Sequence, residues 1–133
     1  TYETKYRLLP SPYEVRLYDL PSLFAGKLHA VLCRAWKSRV KGRDLYDYIF
    51  YLAKGAEVNL LHLKARLTDS GFIREDFVLN RDSLIGLLNE RFAHIDYEQA
   101  KHDVLPFIRD KSKLDLWGAE FFTEVTRNLK VKE

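Results

Sequence analysis

The stretch GKLHAVLCRAWKSRVKGRDLYD, Gly26 to Asp47, decides the reading of this chain. It begins as an apolar helix, yet Lys27 and Arg34 fall among the apolar positions. At about 100° per residue, Leu20, Leu23, Phe24, Leu28, Val31 and Ala35 share one broad arc, with His29 and Trp36 opposite. Lys27 and Arg34 are seven residues apart, so they point within about 20° of each other and inside that arc. Burying a lone ammonium is costly, so Lys27 needs a counter-charge or a wet cleft.

The following helix offers one. Asp44 and Asp47 are three residues apart and share a face, flanked by Tyr48 and Tyr51, while Leu45, Ile49 and Leu52 form another. A short basic loop joins the two helices, which predicts antiparallel neighbours with cations facing carboxylates. Two readings fit this spacing. In the structural one, Asp44 sits in a first turn where the helix dipole favours an acid, Arg43 or Arg34 pairs with it, and Lys27 buries only its stem. In the functional one, the cleft holds a polyphosphate. Lys27 and Arg34 bind its oxygens, and the acids orient those cations or serve a metal or a base. From Lys27 to Arg43 there are six cations and no acid. Lys37, Arg39 and Lys41 in the loop are either solvated surface or a seat for a nucleic-acid backbone.

Outward from this stretch, the pattern predicts a mainly α fold. Residues 1–18 read as a short β-ribbon, with Tyr13, Val15 and Leu17 alternating against Glu14, Arg16 and Tyr18 after a turn bracketed by Pro10 and Pro12. Residues 19–133 read as a helical domain of five or six helices. The first opens at Asp19-Leu-Pro-Ser and runs to about Trp36. The second runs from near Arg43 to before Gly55. The third covers Leu60 to about Ser70, stopped by Gly71. The fourth spans roughly Asp82 to Ala93. The fifth begins at Asp96, with Gln99 completing a capping box, and ends near Pro106. The last covers about Gly118 to Leu129.

Composition bounds the rest. With 133 residues, 47% hydrophobic and 31% charged, the chain suits one domain or a piece of one. A net charge of +3 permits an anionic partner without demanding one. One cysteine, Cys33, excludes an internal disulfide and fits a reducing compartment. No apolar run is long enough to span a membrane, so a cytoplasmic location without membrane association is expected. The four histidines lack metal-ligand spacing. Gly26-Lys27 is no P-loop, because Leu28 replaces the Ser or Thr and Pro21 the leading Gly. Cys33 reads as a quiet helical cysteine. Tyr46, Tyr48 and Tyr51 either stack on a base or fill a helix interface. Lys111 and Lys113 read as plain surface.

The order VRLYDLPSLFAGKLHAVLCR, a basic gap, then GRDLYDYIFYL resembles the third and fourth motifs of AbiEii/AbiGii-type nucleotidyltransferases. These include toxins of type IV toxin–antitoxin and phage abortive-infection systems. The matching residues are Lys27, Ala30 and Arg34 in K-x-x-A-x-x-x-R, and Arg43, Asp44 and Asp47 in R-D-x-x-D. The resemblance implies the C-terminal part of a polymerase β-like nucleotidyltransferase. It implies that Lys27 contacts the triphosphate of an NTP, that Asp44 is an active-site acid, and that Arg34, Arg43 and Asp47 support them. It also implies Mg²⁺ in the full-length enzyme, a tRNA end or other nucleic acid as acceptor, and a cognate antitoxin. The family's Gly-Ser turn and metal-holding Asp-x-Asp pair are not among these 133 residues. The expectation is therefore a C-terminal portion of a longer protein, binding no metal and inactive by itself. The competing expectation is a non-catalytic helical module that binds RNA or a protein partner through its basic loop.

Overall fold

The computed structural model describes residues 19–33 and 40–133. The expected β-ribbon over residues 1–18 lies outside them, as do Arg34, Lys37 and Arg39. Helix α1 spans Leu20–Cys33 and α2 spans Gly42–Ala53. A short strand β1, Glu57–Asn59, leads into α3, Leu60–Asp69. Then come α4, Arg81–Phe92, and α5, Tyr97–Val104. Two 3₁₀ turns, Leu105–Phe107 and Lys111–Leu116, precede α6, Ala119–Thr126, and strand β2, Lys130–Lys132. The described residues are thus mainly helical, with one small sheet.

Local chemistry sets most of the boundaries. Asp19 opens α1, its carboxylate accepting from Ser22 Oγ at 3.1 Å. Asn59 caps α3 by accepting from the His62 N–H. Gly55 and Gly71 close α2 and α3 at φ of 73° and 79°, conformations that cost glycine nothing. Asp96 caps α5 as expected, but Gln99 turns its amide to Asp103 at 3.0 Å and does not complete a box. The reciprocal box is instead at α4, between Asn80 and Ser83.

Two expectations are corrected. The chain after residue 19 is not wholly helical, because β1 and β2 pair in parallel with Val58 opposite Val131. The last helix stops at Thr126, not Leu129, because the turn from Thr126 to Leu129 redirects the chain into β2. Arg81 fixes that exit, donating from its guanidinium to the Leu129 and Arg127 carbonyls at 2.8 Å each.

The core is a stack of rings crossing the helices. Tyr51 stacks on Phe24, with centroids 5.0 Å apart. Phe24 meets Tyr48, Tyr48 meets Phe92, and Phe92 meets Phe122 at 5.2 Å. Tyr97, Trp117 and Phe121 surround Phe122. Leu28, Val31, Leu45, Leu63, Leu67, Leu84 and Leu88 fill the space between. Leu20 and Leu23, placed on the buried arc by periodicity, remain about two-fifths exposed, because burial along α1 begins at Phe24. The buried Tyr48 hydroxyl meets Thr126 Oγ at 2.7 Å, and Thr126 donates onward to the Phe122 carbonyl. That pairing leaves no polar atom of the Tyr48–Thr126 contact unmatched.

Helix α2 approaches α5 closely at its first residue. The Gly42 N–H donates to Asp103 at 3.1 Å. A methyl on Gly42 would lie 2.0 Å from the Ala100 carbonyl oxygen, which is backbone and cannot turn aside. Gly42→Ala is therefore expected to lower unfolding free energy by about 2 kcal/mol or more. Gly86→Ala in α4, where a methyl meets nothing within 4 Å, should be neutral or stabilising by up to about 1 kcal/mol. Urea denaturation midpoints of the two variants check the contrast.

Candidate functional site

Helices α1 and α2 bring together the residues that the sequence singled out. Lys27, in the second turn of α1, reaches across to α2. Its Nζ donates to Asp44 Oδ1 at 2.8 Å and lies 2.9 Å from Asp47 Oδ2. The i, i+3 spacing of the acids is what lets one ammonium bridge both. The three groups differ in exposure: the side chains of Asp44, Lys27 and Asp47 are 4%, 23% and 45% exposed. The cluster therefore runs from the core outward to water. An ammonium carries three N–H donors. Two carboxylates lie within hydrogen-bond reach of it.

Burial alone would depress the Lys27 pKa. The hydrogen bonds that Lys27 donates to Asp44 and Asp47, with their negative charge, outweigh it, and the net direction is upward. Lys27 is thus a fixed cation through the neutral range, which suits an anion-binding group and not a proton-transfer group.

The flanking residues divide. Arg43 is exposed and sets its guanidinium over the Phe107 ring at 5.7 Å. Lys41 is exposed just before α2. Arg34, Lys37 and Arg39, the expected second cation and most of the basic loop, lie outside the described residues. Tyr48 and Tyr51 belong to the core stack, while Tyr46 is half-exposed on the other side of α2. Beside Asp47 a small cavity of about 190 Å³ is lined by Arg43, Tyr46, Asp47, Val104, Phe107 and Ile108. Burial pushes the Cys33 thiol pKa up, against only a partial offset from Ser70, in keeping with an unreactive cysteine.

The fit to Mg²⁺ can be tested on the donor set. Magnesium asks for carboxylates free to face it in near-octahedral geometry. Asp44 and Asp47 both face an ammonium. Among the described residues no three His, Cys, Asp or Glu side chains are grouped to hold a metal. The pair does not fit as a magnesium site, and no step is routed through one. Sequence reasoning passed over Gly42 and Asp103, which fix the start of α2 two residues before Asp44. A glycine directly preceding the R-D-x-x-D run was the available signal.

Lys27, Asp44 and Asp47, three of the residues that carry the resemblance to AbiEii/AbiGii-type nucleotidyltransferases, thus meet at one point. Comparison with protein families agrees: residues 2–123 match the family model described as Nucleotidyl transferase AbiEii toxin, Type IV TA system, and the chain belongs to that family. Membership carries a nucleotidyl transferase toxin role in coarse terms, and a type IV system pairs such a toxin with an antitoxin. No curated protein and no solved structure matches the chain. No helix among the described residues is long and apolar enough to cross a membrane.

Two outcomes follow from the cluster. Asp44→Asn removes the charge from the buried partner and should cost about 1–3 kcal/mol, whereas Asp47→Asn, half in water, should cost less than about 1 kcal/mol. Chemical denaturation of both variants at neutral pH tests the ranking. The pH dependence has a definite sign. A raised lysine pKa gives stability that is fully present below the unfolded-state value of about 10.4 and is lost as pH climbs through the higher folded value. Melting temperatures should therefore show a Lys27-dependent decline only at alkaline pH, absent in Lys27→Met.

Proposed function

We propose that this chain supplies the triphosphate-gripping wall of an NTP-dependent, cytoplasmic nucleotidyltransferase toxin with a polymerase β-like arrangement. The observation that carries the reading is the Lys27 ammonium, held between Asp44 and Asp47 and still about a quarter exposed. Lys27 binds a phosphate oxygen. Asp44 holds the lysine head from the buried side. Asp47, the more exposed acid, yields its place when the nucleotide arrives. Arg43 and Arg34 add the positive charge that a polyphosphate needs, offsetting the two acids.

Magnesium and its Asp-x-Asp ligands, which the 133 residues do not contain, enter this reading as groups supplied from outside them. The acceptor is a nucleic acid such as a tRNA end. Residues of this chain then bind and orient the triphosphate and do not hold the metal.

Lys27→Met keeps the apolar stem and removes the charge. Binding of a fluorescent NTP analogue to the chain should weaken on the order of tenfold or more, since a charge-assisted contact is worth about 1.5–3 kcal/mol. The melting temperature at neutral pH reports whether the fold persists. Unchanged affinity in a folded Lys27→Met variant would remove the lysine from the site.

A further inference from the structure

On the face of α2 turned away from Lys27 lies a second and larger feature. A groove of about 620 Å³ runs between α2 and the two 3₁₀ turns. Tyr46, Phe50, Phe107, Leu116 and Trp117 are among its walls. Phe107 is 73% exposed, Leu116 65% and Phe50 51%, so these rings and chains serve no core. Tyr46, Phe107 and Ile108 line both this groove and the small cavity that holds Asp47. The groove thus shares three wall residues with the small cavity that Asp47 lines.

Its charge is one-sided. Arg109 and Lys113 stand exposed on its rim. Arg43 lies over the Phe107 ring, and the Lys54 ammonium lies 4.9 Å over the Phe50 ring. Two cations outnumber the one acid in the lining, Asp110, which is itself exposed and accepts from the N–H and hydroxyl of Ser112. Exposed aromatic faces alternating with cations are the surface that single-stranded nucleic acid requires. Unpaired bases stack on the rings in any sequence, and phosphates meet the cations. A purely apolar partner would gain nothing from the cations. A duplex, whose bases are already stacked, could not use the rings.

We infer that this groove is the seat of a single-stranded nucleic-acid segment, whose unpaired bases stack on Tyr46 and Phe107 and whose phosphates meet Arg43, Arg109 and Lys113. The inference rests on the transferase reading in one respect: an acceptor end threaded through the groove would arrive beside Asp47, where the triphosphate is placed. Phe107 and Tyr46 determine how tightly the strand is held, and the basic loop before α2 is not needed for it.

The test is fluorescence anisotropy of the chain with a labelled single-stranded RNA octamer of mixed sequence, without nucleotide, and with the same octamer annealed to its complement. Binding of the single strand should exceed that of the duplex. Tyr46→Ala and Phe107→Ala should each weaken it on the order of tenfold, as for loss of one stacked base. Both side chains are exposed, so melting temperatures should hold. The Arg109→Ala, Lys113→Ala double variant should reduce the slope of log affinity against log salt by roughly 1.4. Equal binding of duplex and single strand, or affinity untouched by both ring variants, overturns the proposal. Loss of self-association in Phe107→Ala, seen by sedimentation without any strand binding, would reassign the groove to a second copy of the chain. The nucleotide titration of Lys27→Met is a separate measurement. Strand binding without nucleotide binding defeats the transferase reading alone, and the reverse defeats the groove alone.

Discussion

A carboxylate taken almost wholly out of water must be given its counter-charge, and Asp44 is such a carboxylate. That requirement places Lys27 of α1 against the first turns of α2. It explains why a lysine occupies an otherwise apolar helix face. One turn further on, Tyr48 faces the same interior and is tied by its hydroxyl to Thr126 of α6. Two successive turns of α2 are therefore anchored to opposite sides of the molecule, one by charge and one by a neutral hydrogen bond. Side chains on α2 inherit that rigidity, whether they face Lys27 or the groove.

The ring stack gives the frame its stiffness. Phe24, Tyr48, Phe92 and Phe122 come from four different helices and touch in sequence. Each is fully buried, so a shift of any one helix would open a void next to a large side chain. The Lys27 head takes its position from this frame, because its buried partner Asp44 sits on a helix packed into the ring stack. The less buried partner, Asp47, is the one free to respond to a ligand.

Much of this was legible in the sequence. The periodic runs located six helices to within a few residues, and Asp96, Gly55 and Gly71 marked ends where they in fact occur. Spacing allowed Lys27 to face Asp44 and Asp47, but equally allowed Arg43 or Arg34 to pair with Asp44, and only the structure brings the lysine to both acids. The small sheet did not, because three-residue strands carry too little pattern and Val58 meets a partner far along the chain. The clash behind Gly42 is tertiary and leaves no local mark. The groove was half visible. Helix α2 is apolar on more than one side, since Leu45 and Tyr48 face the core while Tyr46 and Phe50 do not. Phe107 carries no mark in the sequence, because its exposure and its neighbours are set by the tertiary fold.

The parallel pairing of β1 with β2 also orders events in time. The hydrogen bonds inside each helix are near in sequence and can form as the chain is made, but Val131 lies 73 residues beyond Val58. Closing so long a loop is the slow kind of contact, because its entropy is lost before any packing is gained. Val58, wholly buried in the finished fold, has no strand to lie against until residue 131 has been synthesised. A ribosome carrying this chain therefore holds an unfinished seam beside α3 until residues 130–132 emerge.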